Sequence, residues 1–405
     1  MKRNRYIVLV LLVLGLVLSS CGTESPISSC SPSSPQPASE DWYDPMETYI
    51  SRRCVEITSA YRSIYLEAEK EEAEDRWSNP KLKQESIDLI EATLVEEGFP
   101  VLDSNGNYPS YLVSAEQLRE FWKMVQAEES ACQEIISVSD EGVMIYRLFT
   151  FDSDADSAWF YSMSVDPGYG EVMTYERQRI LDWAFTEKGN FYFRTRPAGD
   201  KHYEDYILIR TTPPDTKLWD MNMRYIMPVG YIATNIFLTD WSENAWNELC
   251  FNDLWEYFYY AAYERQYIPE SVDYIPAEHQ YQIPAEVFER IVLPYFRVDT
   301  DTFRRLAHYR AEADCYLWRP IETNDFVTLW YYTCIPEVTD YRINEDGTIS
   351  ITVEVLSTDL KLDCLFAHEV TVRPLESGGF QYVSNQVTYQ TSYGLPFCEP
   401  RINWQ

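Results

Sequence analysis

The chain has 405 residues, with 65 Asp plus Glu against 33 Lys plus Arg and a formal net charge of −32. That balance argues against nucleic acid as a partner and against charge-driven docking on anionic lipid, because both need dense Lys and Arg. A hydrophobic fraction of 45% excludes a disordered polyanion and provides for one large core or two medium ones.

Residues 1–20 read as a targeting segment. Lys2, Arg3 and Arg5 give a positive start, and Ile7 to Leu18 is an apolar run broken only by Gly15. Such a run rises about 18 Å as a helix, short of the roughly 30 Å hydrocarbon core, so a signal-peptide core is expected rather than a membrane-spanning anchor. Leu18-Ser19-Ser20-Cys21-Gly22 then resembles a bacterial lipobox. On that reading a diacylglyceryl group is attached to Cys21 Sγ and the chain is cut before Cys21. Loss of the leader removes three positive charges and no acid, which makes the mature chain more acidic still. Residues 21–45 are rich in Ser and Pro and cannot bury enough apolar area to order themselves. They read as a partly extended tether.

The folded part is expected to be α+β. A first module over 46–275 has N-terminal helices and a central antiparallel β-meander. Met46 to Trp77 has helical pattern, with a charge run at its end that reads as a solvated face. Asn79-Pro80 is expected to open a helix with Ile87, Ile90 and Leu94 on one face, closed by Gly98. Ser114-Ala115-Glu116-Gln117 resembles a capping box leading into Leu118, Phe121, Trp122 and Val125. From Val143 the pattern becomes strand-like: Val143–Phe151, Ala158–Val165, Glu171–Ala184, Asn190–Thr195 and Tyr206–Thr211, separated by turn residues. Asp240-Trp241-Ser242-Glu243 is expected to cap a helix carrying Trp246, Leu249, Leu254, Trp255, Phe258 and Tyr259, aromatics that suit a core. A boundary is placed over Ile275 to Gln282.

The second module, 276–405, is expected to be helices followed by an antiparallel sheet. Pro284 opens a helix through Val287, Phe288, Ile291 and Val292, and Asp299 starts another through Phe303 and Leu306. Ile349, Ile351, Val353 and Val355 alternate with polar residues, Phe366, Val370 and Val372 share a face, and Phe380 to Val387 gives a further strand. Asp346-Gly347 and Ser377-Gly378-Gly379 supply the turns.

Several segments together resemble a family of uncharacterised lipoproteins from clostridial Gram-positive bacteria, catalogued only as a domain of unknown function. They are Pro284-Ala285-Glu286-Val287-Phe288-Glu289 with Tyr295-Phe296, Pro336 to Tyr341, Asn344 to Thr348, Ala367 to Arg373 and Phe380 to Asn385. Upstream, Pro228-Val229-Gly230-Tyr231 and Asn235-Ile236-Phe237 fit too. The resemblance implies an envelope lipoprotein of α+β build. It brings no catalytic residue.

Reaction motifs are lacking. His202, His279, His308 and His368 are too scattered for a local metal site, and His368-Glu369 lies in a strand pattern without the second histidine of a zinc-protease helix. His368 falls on the face of Phe366 and Val370 and reads as a structural imidazole. Asp152, Asp154 and Asp156 space like the start of a calcium loop. The sixth position is Ser157 rather than Gly and the twelfth is Met163 rather than Glu, so a turn is expected. Asp103-Ser104-Asn105-Gly106-Asn107 reads the same way. Eight cysteines besides Cys21 permit disulfides outside the cytoplasm, and Cys315–Cys334 and Cys364–Cys398 are the pairings expected. No metal and no cofactor is called for. The sequence therefore reads as a lipid-anchored, non-catalytic binding or accessory protein on the extracytoplasmic membrane face. Its partners would be the membrane, through Cys21, and an envelope protein, peptide or glycan. The alternative is an extracellular hydrolase using carboxylates.

Overall fold

A cluster of amphipathic helices and alternating strands becomes an α+β fold in the computed structural model, which describes residues 44–72, 81–103, 108–196, 206–246, 249–268, 274–275, 280–321 and 334–402. Contacts divide the chain into two units. The first holds residues up to Trp183, with Phe193–Glu204 and Ile209–Pro213. The second holds Ala184–Tyr192, Asp205–Leu208 and everything from Pro214.

In the first unit, α1 (Pro45–Glu72) buries Ile50, Cys54, Ile57, Tyr61 and Tyr65, residues three and four apart that share one face. α2 (Gln84–Glu96) buries Ile87, Ile90 and Leu94. Its start differs from expectation: Asn79-Pro80 lies outside the described residues, and Lys83 holds the N-cap position. Its end is as read, since Gly98 takes φ +88° and the Gly98 and Phe99 amides return to the carbonyls of Val95 and Leu94. α3 (Glu116–Gln126) buries Leu118 and Phe121 as expected, but no capping box forms. Ser114 sits at φ 61°, and Ala115 occupies the N-cap without a side-chain bond.

These helices accompany β1 (Leu102–Asp103), β2 (Tyr111–Leu112), β3 (Ala131–Val138), β4 (Met144–Asp152), β5 (Ser157–Asp166), β6 (Glu171–Phe185), β7 (Asn190–Arg196) and β8 (Ile207–Arg210). The sheet order is β1-β2-β8-β7-β6-β5-β4-β3. β3 to β6 form the antiparallel meander that the pattern predicts, and β2 pairs β8 in parallel at Tyr111 and Arg210. Ile136, Val138, Met144, Tyr146, Leu148, Met163 and Val165 meet the buried faces of α1 and α2 in one core.

In the second unit, α4 (Thr216–Met221) runs into a π-turn over Asn222–Ile226. Next come β9 (Trp241–Ser242), α5 (Phe251–Tyr263), β10 (Tyr274–Ile275), β11 (Gln280–Pro284), α6 (Ala285–Val292), a 3₁₀ turn (Leu293–Tyr295) and α7 (Thr300–Leu306). β12 (Cys315–Trp318), β13 (Cys334–Ile343), β14 (Ile349–Ser357), β15 (Leu362–Pro374) and β16 (Phe380–Gln390) follow. The strands make two antiparallel sheets, β10-β11-β12 and β13-β14-β15-β16-β9. Ile351, Val353, Val355, Phe366, Val370 and Val372 turn one face of the larger sheet into the core.

Two sequence expectations fail here. Asp240 to Glu243 does not start a helix: Trp241 and Ser242 form β9, the Asp240 carboxylate accepts from the Val387 amide at 2.7 Å, and Glu243 pairs with Arg373 at 2.6 Å. The helix begins at Phe251 instead. The boundary at 275–276 is also displaced, since Tyr274 and Ile275 pair with Tyr281 and Gln280 inside the second unit. The division falls near 213–214 because the aromatics of α5 belong to the C-terminal core. Trp255 stacks on Phe288, and Phe258 stacks on Tyr295 with centroids 4.0 Å apart. Such pairs add roughly 0.5–1.5 kcal/mol beyond area burial.

Candidate functional site

Cys21, the expected lipid-bearing residue, lies outside the described residues, as do His202, His279 and most of the Asp103–Asn107 turn. The other candidates can be placed.

His368, on β15, is wholly buried. Its Nδ1 lies 2.7 Å from Asn385 Oδ1, and its Nε2 lies 2.8 Å from Tyr231 Oη. An amide oxygen can only accept, so Nδ1 carries the proton and Nε2 accepts from the tyrosine. Asn385 Nδ2 continues the chain by donating to Thr239 O at 2.9 Å. Phe237 stacks on the imidazole. Burial lowers the imidazole to about 4, partly opposed by the Asn385 bond, so the ring is neutral. The arrangement fixes the 231–239 loop to the sheet and agrees with a structural imidazole. Long loops need such ties because their backbone has no ladder.

A second polar cluster was not legible in the sequence. Arg401, near the C-terminal end, is buried against α5. Its Nε and backbone N reach Asp253 at 3.3 Å, its Nη2 reaches Asp253 O at 2.7 Å, and its Nη1 reaches Glu256 Oε2 and Arg319 O at 2.8 Å. Trp318 Nε1 also donates to Glu256, at 3.0 Å. Burial pushes the Asp253 carboxyl up, and the Arg401 guanidinium pulls it back. Both acids of this pair are therefore spent on one arginine. The partners are 148 residues apart in sequence, so no local spacing announces them.

In the first unit, Glu134 takes a two-pronged bond from Arg53, at 3.1 Å to each oxygen, and a further one from Tyr146 at 2.8 Å. The Glu134 bond raises the Arg53 guanidinium, and burial pushes the Tyr146 hydroxyl far up. This cluster ties α1 to β3 and β4.

Asp152 serves its own hairpin, accepting from the amides of Asp154 and Ala155 at 3.0 and 3.2 Å, and Asp156 turns the chain at φ 44°. It is an Asx-turn, as the missing glycine and glutamate suggested. The cysteine pairings are corrected. Cys315, Cys334, Cys364 and Cys398 are all free thiols, and neither Cys315–Cys334 nor Cys364–Cys398 is bonded. Nearness in sequence does not carry over: Cys315 opens β12 and Cys334 opens β13, in different sheets. Cys364 Sγ contacts Phe366 O within β15, whereas Cys398 lies in the tail near Asp253 and Arg401. Burial pushes the Cys334 and Cys398 thiols up to about 12, so they are weak nucleophiles.

One open concavity, of about 580 Å³, is lined by Leu238, Thr239, Asp240, Val387, Tyr389 and Leu395, among others. Its single carboxylate, Asp240, already holds the Val387 amide. Among the described residues no helix is long and apolar enough to cross a membrane, and no group of His, Cys, Asp and Glu is arranged to hold a metal ion.

Residues 47–401 match the family described as a family of unknown function, DUF6070, and the chain belongs to that family. No curated protein and no solved structure matches it.

Proposed function

We propose that this is a lipoprotein of a clostridial, Gram-positive type of cell, held on the extracytoplasmic membrane face by a diacylglyceryl group on Cys21. The folded part binds an envelope protein, peptide or glycan rather than turning over a substrate. The observation that carries the reading is the order of features before Asp44: Lys2, Arg3 and Arg5, the Ile7–Leu18 apolar run, Leu18-Ser19-Ser20-Cys21, then the Ser/Pro tether. A thiol directly after two small residues is the nucleophile that lipid transfer needs. Two acyl chains, at about 0.8 kcal/mol per buried CH₂, hold a protein where one chain does not. The non-catalytic half of the reading is supported by how the chemically capable side chains are used. His368, Asp253, Glu256 and Glu134 each complete an internal bond that fixes the fold.

The test is the intact mass of the protein recovered from a Gram-positive host. The reading expects a chain beginning at Cys21 and carrying a diacylglyceryl group. A mature chain that begins elsewhere and carries no lipid refutes it.

A further inference from the structure

Strand β6 is unusual in its exposure. Glu171, Val172, Met173 and Thr174 are exposed in succession, as are Glu176, Arg177 and Arg179. Successive strand residues point to opposite faces, so both faces of this stretch meet solvent. Val172 is 43% and Met173 57% exposed, and Tyr169, in the turn before them, is 81% exposed. One edge of the stretch pairs with β5, from Trp159 against Arg179 to Asp166 against Glu171. On the other side, the turn bond from Thr186 N to Asn190 O sets the β6–β7 register, which carries β7 only as far as Ile180. Among the described residues, then, no strand pairs the outer edge of residues 171–179. An edge that bears apolar side chains invites another strand.

The charges on the stretch select the partner. It begins acidic, at Glu171, and ends basic, at Arg177 and Arg179. A second copy laid alongside in parallel sets like charges together. A second copy laid antiparallel sets each Glu171 against the basic end of the other strand. Arg177 is already placed by the Trp159 ring, 4.1 Å from its guanidinium, and by Asp44 at 3.5 Å. Arg179 is the exposed cation.

We infer that two copies of the chain associate through antiparallel pairing of the outer edges of β6, centred near Tyr175, with Glu171 of each copy opposite Arg179 of the other. The contact is isologous, so each favourable pair occurs twice. The two-fold axis runs normal to the joined sheet. Tyr175 Oη donates to Asp44 Oδ2 at 2.8 Å, so the point where the tether joins lies beside this strand. A two-fold axis in that direction leaves both tether origins on the same side, as two chains rooted in one membrane require. The pairing itself does not rest on the lipid anchor.

The experiment is sedimentation of the detergent-solubilised full chain, comparing wild type with Glu171→Arg, Arg179→Glu and the double variant. Both positions are on the surface, and an unchanged circular dichroism spectrum verifies the fold. Wild type is expected to be dimeric, each single reversal to weaken association on the order of tenfold by opposing like charges across the strands, and the double reversal to restore it. A monomeric wild type, or a dimer indifferent to both single reversals, overturns the proposal.

Discussion

His368 illustrates how a buried side chain writes a pH dependence into the fold. Desolvation lowers its folded value to about 4, against roughly 6.5 for an exposed imidazole. Between those values the unfolded chain binds a proton that the folded chain refuses, so stability rises with pH across the window. The contribution is complete above about pH 6.5 and is lost as pH falls toward 4, on the order of 3 kcal/mol in all. Urea denaturation at pH 7 and pH 4.5 should show His368→Gln losing less stability on acidification than wild type. Equal losses would contradict the assignment. Arg401 makes a different demand. Arg401→Met leaves Asp253 buried without its counter-charge, and the expected cost is about 3–5 kcal/mol in urea titrations. Adding Asp253→Leu should recover part of that loss. A single variant within about 1 kcal/mol of wild type would show that the pair does not hold the tail.

At the scale of elements, the turn between β3 and β4 is held by close approach. Gly142 has φ +77°, and a Cβ there would lie 2.6 Å from Tyr65 Cε2 and 2.9 Å from Leu82 Cδ1. Gly170, in the β5–β6 turn, has φ +70° with nothing within 4 Å of the same position. Gly142→Ala should therefore cost the backbone penalty of about 1 kcal/mol plus a steric one of similar size or larger, while Gly170→Ala costs the first alone. Thermal melts of both variants settle it, and equal losses would mean that α1 yields freely. The same elements show what the sequence could convey. β4, β5 and β14 to β16 were legible because Ile351, Val353 and Val355, or Tyr146 and Leu148, alternate with less buried neighbours against a helix layer. β3 was not, because Ile135 and Ile136 are both wholly buried, and alternation disappears when both faces are covered. β13 was hidden by Pro336, which an edge strand tolerates and a central one does not. The Asp240–Glu243 stretch has cap chemistry, but its carboxylates are taken by Val387 and Arg373.

For the whole molecule, composition anticipated an α+β chain with enough apolar residues for more than one core, and two clusters of buried residues are present. Where the chain divides was not legible. The division depends on α5 packing with residues more than a hundred positions downstream, as in the Phe258–Tyr382 and Asp253–Arg401 contacts. The polar clusters were hidden for the same reason, since Tyr231, His368 and Asn385 meet only after folding. The anchor is the reverse case: it is read from contiguous residues and needs no fold. It is also the central claim, because an anchored protein acts on what is near the membrane and a secreted one does not. The most direct measurement is membrane partition in a Gram-positive host, comparing wild type with Cys21→Ala. The account predicts that wild type sediments with membranes and that the variant is released or left unprocessed. Wild type secreted freely, with the variant indistinguishable from it, would contradict the anchor.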